Sequence, residues 1–211
     1  MNTAPRAMPT DLIVRHLGQR DYAETQEAMR RFTAERDVDT PDELWLLEHP
    51  PVYTQGLNGR PEHLLDPGDT PVIQSDRGGQ VTWHGPGQFI VYVLVDMRRR
   101  GLGVRQLVSL MENSVITLLG EYGITASARR DAPGVYVDGA KICALGLRIR
   151  HGCSYHGLSF NFDNALSPFS RINPCGYPQL PVTRLTDLCD AEHDAVSNRL
   201  LALLAEALRR T

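Results

Sequence analysis

The strongest signal along the chain is residues 89–95, FIVYVLV, an almost unbroken apolar run. Its length and its β-branched and aromatic side chains predict a strand buried on both faces. Val104, Leu107, Val108, Met111, Val115, Leu118, Leu119 and Tyr122 recur at helical spacing, and Gly120 and Gly123 close that helix. Val196, Leu200, Leu203, Leu204, Ala207 and Leu208 form the apolar stripe of a C-terminal helix. Asp21 stands where an N-cap belongs, ahead of a helix running to about residue 36. Residues 12–17, 44–48, 72–74 and 155–162 read as further strands. Residues 134–137 and 140–150 flank Asp138-Gly139, a pair that tolerates positive φ at both positions and so predicts a two-residue hairpin.

Between these elements lie Pro- and Gly-rich stretches at 50–71 and 164–181, and the segment RGGQVTWHGPGQ at 77–88 around a short central strand. Long loops inside a compact domain are often functional. Residues 1–10 read as a flexible leader. Strands in hairpins with interspersed helices imply one α/β (α+β) domain over residues 11–211, a mixed β-sheet flanked by helices.

Composition narrows the function. With 211 residues, 42% hydrophobic and 22% charged, the chain has ample material for one core. A net charge of -3 argues against nucleic acid as a partner. The longest apolar run is too short to span a bilayer, and no signal-peptide pattern stands at the start, so a membrane is not expected and a cytoplasmic location is. The basic run Arg98, Arg99 and Arg100 reads as a solvated face or a dock for an acidic protein. Cys143, Cys153, Cys175 and Cys189 form no C-x-x-C pair. His151, Cys153 and His156 cluster without the spacing of a metal site, and no metal is expected.

Of 22 basic residues only one, Lys141, is a lysine, and the rest are arginine. A guanidinium does not titrate in proteins, so a lysine in such a background is either a leftover of the composition or a position where an amine exchanges a proton. Lys141 follows the hairpin turn and shares a strand face with Cys143, Leu145, Leu147 and Ile149. Desolvation on that face makes the amine a usable proton acceptor. Ile142, Ala144 and Gly146 lie opposite, where small residues let a ligand approach the backbone. Cys175 sits in Asn173-Pro174-Cys175-Gly176-Tyr177, a tight loop rather than a regular element. A free thiol is only a few per cent thiolate at pH 7, so a nearby base would be needed to activate it. Segment 77–88 is neither a dinucleotide fingerprint nor a P-loop. Its glycines let backbone N–H groups face a ligand, and Thr82 and His84 add polar handles. His49 and His156 are candidates of the same supporting kind.

RGGQVTWHGPGQ, GVYVDGAKICALGLRI, CSYHGLSFN and RINPCGY, met in this order, resemble the signatures of the lipoyl(octanoyl) transferase family, and the likeness runs over about residues 12–209. The resemblance implies the lipoate/biotin protein ligase catalytic-domain fold. It implies transfer of an octanoyl group from octanoyl-acyl carrier protein to a lysine of lipoyl domains, those of the 2-oxoacid dehydrogenases and the glycine cleavage H protein, with no cofactor. The family's acyl-thioester cysteine falls on Cys175, and the lysine that activates it falls on Lys141. The acyl-binding residues fall on Arg77, Gly78, Gly79, Gln80, Val81, Thr82, Trp83 and His84, on Ala144, Leu145 and Gly146, and on Gly157, Leu158 and Ser159. Trp83 and Ser159 depart from the commoner Tyr and Ala, which would trim or polarise the pocket. Competing readings are an ATP-dependent lipoate or biotin protein ligase on the same fold, with Cys175 incidental, and a non-catalytic scaffold that binds carrier proteins.

Overall fold

A computed structural model describes residues 12–178 and 180–211, apart from the side chain of Cys175. The leader expected at 1–10 lies outside the described residues. The apolar run forms β6 (Gln88–Leu94), buried along its whole length. It pairs antiparallel with β2 (Asp42–Glu48) on one side and β10 (Cys153–Asn161) on the other. β1 (Leu12–Gln19) extends the sheet beyond β2 in parallel. β9 (Ala140–Arg150), β8 (Gly134–Val137) and β7 (Ser127–Ala128) extend it beyond β10, giving the order β1-β2-β6-β10-β9-β8-β7. A smaller sheet has the order β4-β3-β5, from β3 (Val52–Gln55), β4 (Val72–Gln74) and β5 (Val81–His84).

The alternation along β6 explains its sequence. Phe89, Val91 and Val93 join the core under α2 (Val104–Glu121) and α3 (His193–Arg209). Ile90, Tyr92 and Leu94 face the other way, toward Met29 of α1 (Tyr22–Glu35). Each fully buried side chain of this size contributes about 1.5–3 kcal/mol, so a strand covered on both faces can afford no polar side. Asp21 caps α1 by accepting the Glu24 N–H at 3.0 Å. Asp138 and Gly139 take φ of 48° and 81°, the positive values the hairpin needs.

Two differences from the sequence reading bear on function. β2 begins at Asp42, two residues before its apolar part. Asp42 is 0% exposed and collects Arg36, Arg99 and Arg100, with the Asp96 N–H at 2.8 Å. Burial pushes this carboxyl up, but the Asp96 N–H, Arg100 and Arg36 outweigh it and hold it below the usual range. Of the Arg98–Arg100 run only Arg98 is exposed: the side chains of Arg99 and Arg100 are 5% and 7% exposed and turned inward. The second difference is β3, an ordered strand inside the stretch expected to be loop. No helix among the described residues is long and apolar enough to cross a membrane.

Candidate functional site

Small residues on β9 and β10 open a half-open cavity against segment 77–84. Gly146 pairs with Gly157 and Ala144 with Ser159, so two adjacent strands present a bare stripe. A Cβ at Gly157 would stand 2.1 Å from the Val91 carbonyl oxygen, and one at Gly146 would stand 3.1 Å from that of Gly78. Only glycine lets the backbone of β6 come this close at Gly157, whereas a side chain at Gly146 would require segment 77–80 to give by a few tenths of an ångström. That segment is fixed from both sides. The Gly78 N–H donates to Leu147 of β9 at 2.9 Å, and the Leu57 N–H donates to the Arg77 carbonyl at 2.9 Å. The buried Arg77 guanidinium donates to the Thr54 carbonyl and hydroxyl at 2.7 and 2.8 Å.

Arg77, Gly79, Gln80, Val81, Thr82 and His84 line the cavity, facing Ala144, Leu145 and Gly146 and also Gly157, Leu158 and Ser159. Two residues assigned to the pocket from the sequence lie elsewhere. Gly78 lines a neighbouring surface groove with Leu147 and Val104. Trp83 packs edge-on against Phe169, 5.7 Å between centroids, in the separate cluster that covers the small sheet. The short turn at Ser167–Arg171 gives the indole an apolar seat away from the cavity.

Tyr22, Ile90, Tyr92 and His156 complete the lining. His49 lies behind Tyr92: its Nδ1 donates to the Arg20 carbonyl at 2.7 Å, and the Tyr92 hydroxyl donates to its Nε2 at 2.7 Å. Burial pushes His49 down to about 4 and His84 well below its usual value, so both rings are neutral at pH 7. His84 donates from Nδ1 to Gln88 at 2.7 Å. His156 donates from Nε2 to Asp76 at 2.8 Å, and Asp76 also accepts from Tyr155, Gln26 and Arg30. Tyr22 and Asp76 are site residues that sequence reasoning missed, because nothing local sets them apart from surface polar positions.

Lys141 is 3% exposed at the start of β9. Its Nζ donates to the Pro133 carbonyl at 3.3 Å and lies 5.1 Å from the centre of the Tyr136 ring. Gly134 packs against it, since a Cβ there would be 3.3 Å from Nζ. The Gly134 N–H donates at 2.9 Å to Glu112, a buried carboxyl that burial pushes up against the pull of Lys141. Segment 181–183 pairs with Lys141 like a short extra strand: the Lys141 N–H donates to Pro181 at 2.8 Å and the Thr183 N–H to Lys141 at 3.0 Å.

That segment is the far end of the loop carrying Cys175. The side chain of Cys175 lies outside the described residues, but the loop backbone around it does not. Pro174–Gly176 is a single 3-10 turn, with Gly176 at φ 78°. A Cβ at Gly176 would stand 3.2 Å from Gln80 of the cavity wall. Tyr177 donates to the Asp131 carbonyl at 3.2 Å, two residues from the Pro133 carbonyl that accepts from Lys141. The other thiols are poor nucleophiles. Cys143 is wholly buried and pushed far up by burial, and burial also raises Cys153 and Cys189. Among the described residues no group of three His, Cys, Asp or Glu gathers to hold a metal.

The lipoyl protein ligase A/B catalytic domain matches residues 21–205. An octanoyltransferase of Alkalilimnicola ehrlichii is 64% identical over 87% of this chain and 86% of its own. One of Pseudomonas fluorescens is 59% identical over 95% and 94%. In fold, the chain is similar to a bipartite lipoate protein ligase of Thermoplasma acidophilum, with a TM-score of 0.74 at 16% identity over 92% of this chain and 82% of that one. A lipoate-protein ligase A bound with ATP gives 0.72 at 16% identity, over 93% and 84%.

Proposed function

The chain belongs to the lipoyl protein ligase A/B catalytic-domain family, and from that premise we propose that it moves an octanoyl group through a thioester on Cys175 with Lys141 as proton carrier. Its activity is that of an octanoyltransferase of lipoyl-cofactor assembly, taking the acyl group from a carrier and giving it to a lipoyl protein. The donor we assign is octanoyl-acyl carrier protein. The acceptors are the lipoyl domains of 2-oxoacid dehydrogenases and the glycine cleavage H protein, and the compartment is the cytoplasm.

The observation that carries the mechanism is a buried amine tied by backbone hydrogen bonds to the end of the cysteine loop, beside a cavity lined by small and apolar residues. Lys141 accepts the Cys175 proton, and the thiolate attacks the donor thioester carbonyl. The tetrahedral adduct collapses, the carrier thiolate leaves, and Lys141 returns the proton to it. The incoming lysine amine then attacks the Cys175 thioester and passes a proton to Lys141, and Cys175 leaves as thiolate and is reprotonated. The first step exchanges one thioester for another, and the second forms an amide from a thioester, so neither needs ATP. Two bulky protein substrates can visit one site in turn because the acyl group waits on the enzyme.

The test is transfer from octanoyl-carrier protein to an isolated lipoyl domain without nucleotide, for the natural chain and for Cys175→Ala. Transfer by the former and none by the latter is expected. A requirement for ATP and free octanoate, with Cys175→Ala active, would make the chain a ligase instead.

A further inference from the structure

The cavity has two chemically different ends. Cys143 pairs with Phe160 and Leu147 with His156, so His156 lies six strand residues from the level of Lys141, about 20 Å away. From Ser159 to His156 is about 10 Å. An extended eight-carbon acyl chain, with bonds of about 1.5 Å in a zigzag, spans about 9 Å. The Lys141 Nζ packs on Gly134, which pairs with Ala144, so the amine itself reaches the level of Ala144 and Ser159, and a chain whose carbonyl sits there ends beside His156.

That end is lined by acceptors. Asp76 takes four donors and only accepts, so the proton on His156 is at Nε2. The ring is 1% exposed, and its Nδ1 has no hydrogen-bond partner among the described residues. Burial favours the neutral ring, which leaves Nδ1 a bare acceptor. The Tyr92 hydroxyl spends its proton on His49 and the Tyr22 hydroxyl on Ser75 at 2.7 Å, so both present lone pairs. His156 holds φ at 61°, a left-handed conformation that a β-strand residue adopts only against strain. An apolar chain end gives these acceptors nothing, and a buried acceptor left unpaired disfavours the bound state.

We propose that His156, with Tyr92 and Tyr22, forms an acceptor cap that reads the far end of the acyl chain and takes chains carrying a hydroxyl donor on the eighth carbon. With plain octanoyl, a water fills the cap and donates to it. A chain one methylene longer must displace that water and pairs with nothing. This inference rests on the cavity being the acyl pocket.

The probe is a pair of isosteric donors, 8-hydroxyoctanoyl- and nonanoyl-carrier protein, measured as kcat/KM beside octanoyl-carrier protein. The natural chain is expected to favour 8-hydroxyoctanoyl over nonanoyl by about tenfold or more. His156→Leu should erase that preference, leaving the two donors equally used. Should that variant fail to fold, the isosteric comparison on the natural chain decides alone. Equal use of the two, or preference for nonanoyl, overturns the cap, and a preference that survives His156→Leu overturns the role of His156. If octanoyl itself is not transferred, it is the transferase reading that fails.

Discussion

Replacing Lys141 by arginine separates charge from proton transfer at one position. The amine is 3% exposed, donates to the Pro133 carbonyl and lies over the Tyr136 ring. A guanidinium satisfies a carbonyl and an aromatic face as well as an ammonium does, so the variant keeps the local cation. It cannot give up a proton near pH 7. A positioned general base contributes about 10²–10⁴ in rate, which is about 2.7–5.4 kcal/mol at 1.36 kcal/mol per decade. Lys141→Arg should therefore lose about that factor in single-turnover transfer, followed by mass spectrometry of the acceptor domain. Lys141→Met, which removes charge and base together, should fall no more than about tenfold further. Thermal melting of both variants checks that the fold is retained. Turnover of Lys141→Arg within about threefold of the natural chain would refute the proton-carrier role and leave only a need for positive charge.

Asp42→Asn removes the charge on which three buried arginines converge and should cost about 3–5 kcal/mol in urea unfolding. Because the folded carboxyl is held low, its contribution is present above the ordinary carboxylate range and fades as pH falls through the folded value, so the variant's stability should depend less on acid. A loss under about 1 kcal/mol would mean that the cluster is not a structural tie. Gly157→Ala puts a Cβ against the Val91 carbonyl and should part β10 from β6, seen as a large fall in melting temperature, whereas an unchanged melt contradicts the packing. Gly146→Val presses on the Gly78 carbonyl and Arg77 in the cavity wall and, if the cavity holds the acyl chain, should turn preference from octanoyl toward hexanoyl donors, at about 0.8 kcal/mol per excluded methylene. An unaltered chain-length profile would place the acyl group elsewhere.

Hydrophobic period locates the elements that carry the main core. The run 89–95 became β6, and the helical spacing from Val104 became α2 almost to the residue. The Asp-Gly hairpin was legible because its turn chemistry is local. What stayed hidden depends on partners distant in sequence. β3 has only four residues between prolines and glycines, and its order comes from pairing with β4 and β5. Arg99 and Arg100 look like solvent-facing charge until Asp42 folds beneath them. The resemblance carries Trp83 into the pocket with the whole of segment 77–84, yet neighbouring strand residues face opposite ways. Lys141 was legible from composition, as the lone lysine. Its burial, and its ties to segment 181–183 and Pro133, are products of tertiary structure.

The most direct measurement of the central claim is the mass of the protein after mixing with octanoyl-carrier protein alone, followed by peptide mapping. The account predicts one octanoyl group, on the peptide containing Cys175, released when a lipoyl domain is added. An adduct on Cys143 or Cys189, or none on a chain that still transfers octanoyl, would contradict it.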